Sequence, residues 1–170
     1  DTNDIGLLLW QAKSLDLFDV TNMDLSGLPL ATLQQLRQES QQTLFYINFN
    51  FESGMFREQN VRRAFSAAID RELMVEEVFG QTALPMRHLV PPGVIGSVPI
   101  DQVGVGYSPD FARLQMAQSG FGTCRQMPEI RFMVSSSDLS LLQAEILVQM
   151  WVEELGCEES QFQIEQVPFG

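Results

Sequence analysis

The sequence predicts a mixed α/β fold, and three patterns within its 170 residues carry that expectation. Ile130 to Val134 and Phe162 to Val167 are short apolar runs on either side of one long helical pattern, Leu139 to Leu155. A strand, a helix and a second strand of these lengths predict a right-handed βαβ crossover with parallel strands. Thr43 to Asn50 alternates, with Phe45, Ile47 and Phe49 on one face and Leu44, Tyr46, Asn48 and Asn50 on the other, as a half-buried strand does. Val61, Ala64, Phe65, Ala68 and Ile69 recur at i, i+3, i+4, i+7 and i+8, the core stripe of an amphipathic helix.

The remaining elements follow in chain order. Asp4 to Ala12 places Ile5, Leu8 and Leu9 at helical spacing, and Leu15 to Val20 reads as a strand. Pro is tolerated in a first helical turn and Leu30, Leu33 and Leu36 are periodic, so Pro29 to Gln38 is expected to be helical, ended by a polar break over Gln38 to Gln42. Asn60 is expected to cap the Val61 helix, and Asp70 the next one, Arg71 to Phe79, which stops at Gly80. Gln81 to Tyr107 is rich in Pro and Gly without any period, so an ordered surface loop is expected. Ser108 and Pro109 mark a further helix start, with a side-chain cap and Pro at the first position, and Gly120 marks its end. The last helix is apolar around much of its circumference, which predicts deep packing or a surface shared with other chain.

Charge narrows the function classes. With 22 acidic residues against 10 basic ones and no Lys/Arg cluster, contact with a phosphate backbone is opposed, so nucleic acid is an unexpected partner. No apolar run approaches the roughly 18 residues needed to span a bilayer, and any export signal is expected upstream of Asp1. Cys124 precedes the first strand of the predicted crossover and Cys157 the second, so both sulfurs approach one end of the sheet. They either bond or remain two separate buried thiols; a bond over this loop is worth roughly 3 to 4 kcal/mol and favours an oxidising compartment.

For chemistry, the face carrying Tyr46, Asn48 and Asn50 offers a phenol and two carboxamides, able both to donate to and to accept from a polar solute. Asn50 stands just after the strand, where Asn closes a turn through its own side chain, and is read as structural. Arg62 and Arg63 lie off the core stripe, with Glu58 at i,i+4 from Arg62, and are read as surface or inter-element ion pairs. His88 is the single histidine and has no Cys or carboxylate at ligand spacing, so no metal is expected. Gly104 and Gly106 lack the later Gly, Lys and Ser/Thr of a phosphate loop. Ser135, Ser136, Ser137 and Asp138 are read as helix-initiating caps rather than as an anion site. With no nucleophile–base pair and no convergent carboxylates legible, the expectation is a binding module that is not an enzyme and carries no cofactor.

Specific motifs sharpen this reading. Phe49-Asn50, Phe56, Val61-Arg62-Arg63-Ala64-Phe65-Ser66-Ala67-Ala68-Ile69-Asp70-Arg71, Gly80, Pro85 and Pro91-Pro92-Gly93 follow one another at tight spacings. This run resembles extracellular solute-binding protein family 5, the substrate-binding proteins of peptide-, dipeptide- and nickel-type ABC importers. Gly106-Tyr107-Ser108-Pro109-Asp110, Ala112-Arg113, Gly120-Phe121, Trp151 and Leu155-Gly156 extend the resemblance. Near the start, Gln11-Ala12 and Leu15-Asp16 match a further family element whose glycine is replaced here by Lys13 or Ser14.

The resemblance implies an internal fragment of a longer protein, a periplasmic-binding-protein-like lobe with a central mixed sheet flanked by helices. It implies that residues 1–42 are the end of a first lobe and 43–170 most of a second, C-terminally truncated. It further implies ligand contacts at Tyr46, Asn48 and Asp19, whose matching positions line the inter-lobe groove of peptide-binding relatives, with the AIDR motif architectural. Implied partners are a peptide or other small solute and the permease subunits of an ABC importer, in the periplasm or outside the cell, held at the membrane by the permease or a lipid anchor. The alternative it leaves open is the ligand-sensing domain of a transcriptional regulator built on the same fold.

Overall fold

The longest helix of the computed structural model is held at both ends by features written in its sequence. Residues 2–20, 25, 27–37, 43–52, 54–80 and 83–168 are described. This helix, Asp138–Leu155, starts where the Ser137 hydroxyl accepts the amide of Ser140 at 3.1 Å and ends at Gly156, whose φ of 66° only glycine adopts at little cost. The chain divides into two compact units, 1–41 and 42–170.

In the first unit, α1 (Thr2–Gln11) closes through amide bonds from Ala12 to Leu8 and from Ser14 to Leu9. Lys13 sits between them at φ 57°, the left-handed residue of the helix stop. The Phe18 ring lies directly on Gly6, where a β-carbon would collide with it. The next helix, α2 (Leu30–Leu33), is a single turn, shorter than the expected Pro29 to Gln38. Tight-turn bonds from Gln35 to Thr32 and from Leu36 to Leu33 follow it. Leu15 to Val20 forms no ladder, because no described strand lies alongside to pair with it. The predicted polar break over Gln38 to Gln42 lies outside the described residues.

In the second unit, β1 (Ile130–Ser135) and β2 (Phe162–Val167) pair in parallel, Ile130 opposite Phe162 and Ser135 opposite Val167. The long helix between them, here α6 after α3, α4 and α5 below, completes the expected strand–helix–strand unit. Helix α3 (Gln59–Ala67) buries Val61, Ala64, Phe65 and Ala67. Glu58 occupies its N-cap position, so the expected cap at Asn60 is not formed; the Asn60 amide reaches across to the Gln118 carbonyl at 3.1 Å. Asp70 does cap α4 (Arg71–Met74), accepting the amides of Glu72 and Leu73, and the helix widens into a π turn over Val75–Phe79 before Gly80. Residues 83–108 carry turns and no regular element. Helix α5 (Pro109–Ala117) follows Ser108, whose side chain makes no cap bond; Ser108 is fixed instead by its own amide, which donates to the Ala67 carbonyl at 2.8 Å.

The core of this unit is one cluster in which α3, α5, α6 and the sheet meet. An aromatic column runs through it: Phe49 stacks on Phe56, both meet Phe65 edge-on, and Trp151 contacts Phe65, Phe132 and Phe162. Cys124 and Cys157 are joined in a disulfide with Cα atoms 4.8 Å apart, and the Gln161 amide ties the same corner by donating to the Cys124 and Met127 carbonyls. Architecturally the molecule is mixed α/β, helices packed on a small parallel sheet.

Candidate functional site

The segment 43–52 has a buried side and a bare one. Ile47 and Phe49 pack against the core and anchor it. Phe45, expected on the same buried face, is 62% exposed, its ring 5.0 Å from that of Phe79. The segment forms no ladder: the expected strand finds no described neighbour to receive its amides and carbonyls.

On the bare side, the Tyr46 side chain is 69% exposed and Asn48 is exposed as well. Neither side chain has a hydrogen-bond partner among the described residues, so a phenolic hydroxyl and a carboxamide are left free to donate and accept. Asn48 lines a shallow depression of about 400 Å³ together with Phe49, Asn50, Phe51 and Glu52. Its floor is fixed locally. The Asn50 carboxamide oxygen accepts the Glu52 amide at 2.9 Å, closing a turn, and the Arg62 guanidinium lies 4.7 Å from the centre of the Phe51 ring. Arg62 does not pair with Glu58 as expected: it donates to the Phe56 and Arg57 carbonyls, while Glu58 accepts the Gly120 amide. A backbone acceptor at 2.6 Å is closer and better fixed than a carboxylate one turn away.

Asp19 lies in the first unit, exposed and engaged in an interaction of its own. Tyr46 and Asn48 are thus brought together on one segment, and Asp19 belongs to the other unit. The serines before α6 spend their hydroxyls on each other and on the helix start: Ser137 bonds Ser140, and Ser135 bonds both. Ser140 was not among the expected caps, because nothing in a serine run says which hydroxyls converge.

Other polar groups hold the unit together. Glu154 accepts from the Tyr107 hydroxyl at 2.7 Å and from Arg113 at 3.0 Å, and the Tyr107 phenol is pushed up to about 12, first by that hydrogen bond and then by burial and nearby carboxylate charge. Arg131 and Glu165 form a two-pronged pair across the sheet, which raises the guanidinium and lowers the carboxyl from their ordinary values. His88 accepts the Val90 amide at Nδ1, and its buried Nε2 has no partner. Among the described residues, no three His, Cys, Asp or Glu side chains stand together as metal ligands, and no helix is long and apolar enough to cross a membrane.

Comparison with known proteins decides the lineage. The family model for bacterial extracellular solute-binding proteins, family 5, middle region, matches residues 1–169. The chain belongs to this family. Among its relatives, the oligopeptide-binding protein OppA of Bacillus subtilis is 23% identical over 92% of this chain and 30% of its own length. The periplasmic murein peptide-binding protein MppA of Escherichia coli is 28% identical over 66% of this chain and 21% of its own length. The solved structure of a periplasmic oligopeptide-binding protein/oligopeptide ABC transporter (OppAIV) from Borrelia burgdorferi superposes with a TM-score of 0.66 at 21% identity, over 99% of this chain and 33% of that one, a likeness of fold. The chain therefore spans less than a third of the length of these curated family members.

Proposed function

We propose that this chain is part of the solute-binding component of an ABC importer, which captures a peptide or similar small solute between two lobes and delivers it to a membrane permease. The observation that carries the reading is the family match across nearly the whole chain, joined to relatives named for binding oligopeptides and murein peptides. Residues 1–42 then correspond to the end of the first lobe and 43–170 to most of the second.

Within this reading Tyr46 and Asn48 contact the solute, with Asp19 as a third contact. Their chemistry supports it: an extended peptide presents both N–H donors and C=O acceptors, and a phenol and a carboxamide answer both. Their freedom supports it too, since neither spends its hydrogen bonds within its own unit. A receptor of this kind works by population shift, with contacts from both lobes favouring the closed state. The disulfide supports placement outside the cytoplasm, since an oxidising compartment preserves it and a reducing one opens it.

The test is thermal unfolding of the full-length protein against a panel of peptides, sugars and metal complexes. A ligand that binds only the native state raises the midpoint in proportion to its concentration over its Kd. A peptide that raises it supports the importer reading. No response to any peptide, with an upstream DNA-binding domain in place of an export signal, overturns it in favour of a cytoplasmic sensor.

A further inference from the structure

Phe51 is 62% exposed, yet the fold holds it from both sides along the chain. Before it, the Phe49 ring stacks on Phe56 with centroids 4.9 Å apart and packs against the core. After it, the Glu52 amide donates to the Asn50 carboxamide oxygen at 2.9 Å, so the turn that carries Phe51 is closed. The ring is held as well, by the Arg62 guanidinium 4.7 Å from its centre. Arg62 has no slack of its own. Its Nη1 donates to the Phe56 carbonyl at 2.6 Å and to the Arg57 carbonyl at 2.9 Å, and it stands on α3, which buries Val61, Ala64 and Phe65 in the core.

The ring so fixed lines the depression of about 400 Å³ that Asn48 also lines. One hollow therefore combines an immobilised aromatic surface with a carboxamide that has no partner in its own unit. Ligand pockets run to roughly 300–1,000 Å³, so a hollow at the small end of that range suits one side chain of a solute and not the whole of it.

The lining also selects the occupant. The attraction of the Phe51 ring for a cation is already met by Arg62, and Glu52, the one charged residue on the lining, repels a carboxylate. An uncharged aromatic ring, packed offset or edge-on against Phe51, satisfies both conditions. We infer that this hollow is a side-chain subsite in which Phe51 contacts an aromatic side chain of the bound peptide and sets specificity at that position. The inference rests on the proposal that Tyr46 and Asn48 contact the solute: Asn48 bonds the peptide backbone, and the neighbouring side chain enters the hollow. Because the Phe51 ring is already held, little rotamer freedom is lost on binding.

Calorimetric titration of the full-length protein with tetra-alanine tests this, beside tetrapeptides in which one alanine at a time is replaced by phenylalanine, lysine or glutamate. The parent is compared with Phe51→Ala and Phe51→Tyr, and the quantity read is the ratio of affinities between peptides. At one position the parent is expected to favour phenylalanine over alanine by roughly tenfold, and over lysine and glutamate too. That ratio is expected to fall to near parity in Phe51→Ala and to persist in Phe51→Tyr, which keeps the ring. Peptide binding without a preference for phenylalanine, a preference for lysine, or a preference that survives in Phe51→Ala would overturn the subsite alone. Failure of every peptide to bind the parent would overturn the peptide-receptor proposal, and the subsite with it.

Discussion

The Trp151 indole donates its N–H to the main-chain carbonyl of Phe65 across 3.0 Å in the buried interior of the second unit. It joins α6 to α3 at the centre of the aromatic column, the rings of the same two residues 5.1 Å apart. Because the bond is out of water, its loss strands an acceptor instead of returning it to solvent. Trp151→Phe keeps most of the ring area and is expected to lower stability by about 1–3 kcal/mol, read from the shift in denaturant midpoint.

The Cys124–Cys157 disulfide closes a loop with a sequence separation of 33. In the chain-entropy picture, removing it frees the unfolded state by about 3–4 kcal/mol. The double substitution Cys124→Ala, Cys157→Ala is expected to lower the unfolding free energy by that amount, and reductant is expected to shift the parent protein while leaving the variant unchanged.

These two contacts show what was legible in the sequence. The 3.6-residue stripe from Val61 and the strand–helix–strand spacing after Cys124 report local periodicity, and periodicity survives without knowledge of neighbours. The same spacing brings both cysteines to one end of the parallel pair. Strands are different, since a strand exists only through its partner: Leu15 to Val20 and Thr43 to Asn50 carry strand patterns and pair with no described neighbour. Caps were read from residue type, and type does not say which donor wins, so Asn60 went to Gln118 and Ser108 bonded through its backbone. For the site, alternation put Tyr46 and Asn48 opposite Ile47 and Phe49, and the burial of those four follows it, while Phe45 is exposed against the same pattern.

Lys13 holds the left-handed conformation at the end of α1 with a side chain that disfavours it, by about 1–2 kcal/mol relative to the ordinary helical region. Glycine removes that cost but brings back about 0.5–1 kcal/mol of unfolded-state freedom. Lys13→Gly is therefore expected to stabilise the helix end by up to about 1 kcal/mol. Slower hydrogen exchange at the Ala12 and Ser14 amides is the measurement that checks it.

Tyr107 gives the second unit an alkaline limit. Its folded-state value, about 12, lies above the ordinary 10, so the folded state holds the proton more tightly than the unfolded one. The contribution is fully present below pH 10 and is lost as pH rises towards about 12, where the phenolate would face Glu154. Stability of the parent is expected to fall more steeply over that window than stability of Tyr107→Phe. Identical slopes would show that the hydrogen bond to Glu154 does not favour the neutral phenol.

The central claim, that the segment bearing Tyr46 and Asn48 contacts a bound solute, is tested most directly by calorimetric titration of the full-length protein with a peptide found to stabilise it. Tyr46→Ala, Asn48→Ala is compared with the parent. Neither side chain supports its own unit by a hydrogen bond, so the thermal midpoint without ligand is expected to stay close to the parent's. Loss of two hydrogen bonds is expected to weaken binding by about 1–3 kcal/mol, roughly 5- to 150-fold in Kd. Unchanged affinity in the double variant would contradict the claim and place the solute elsewhere on the protein.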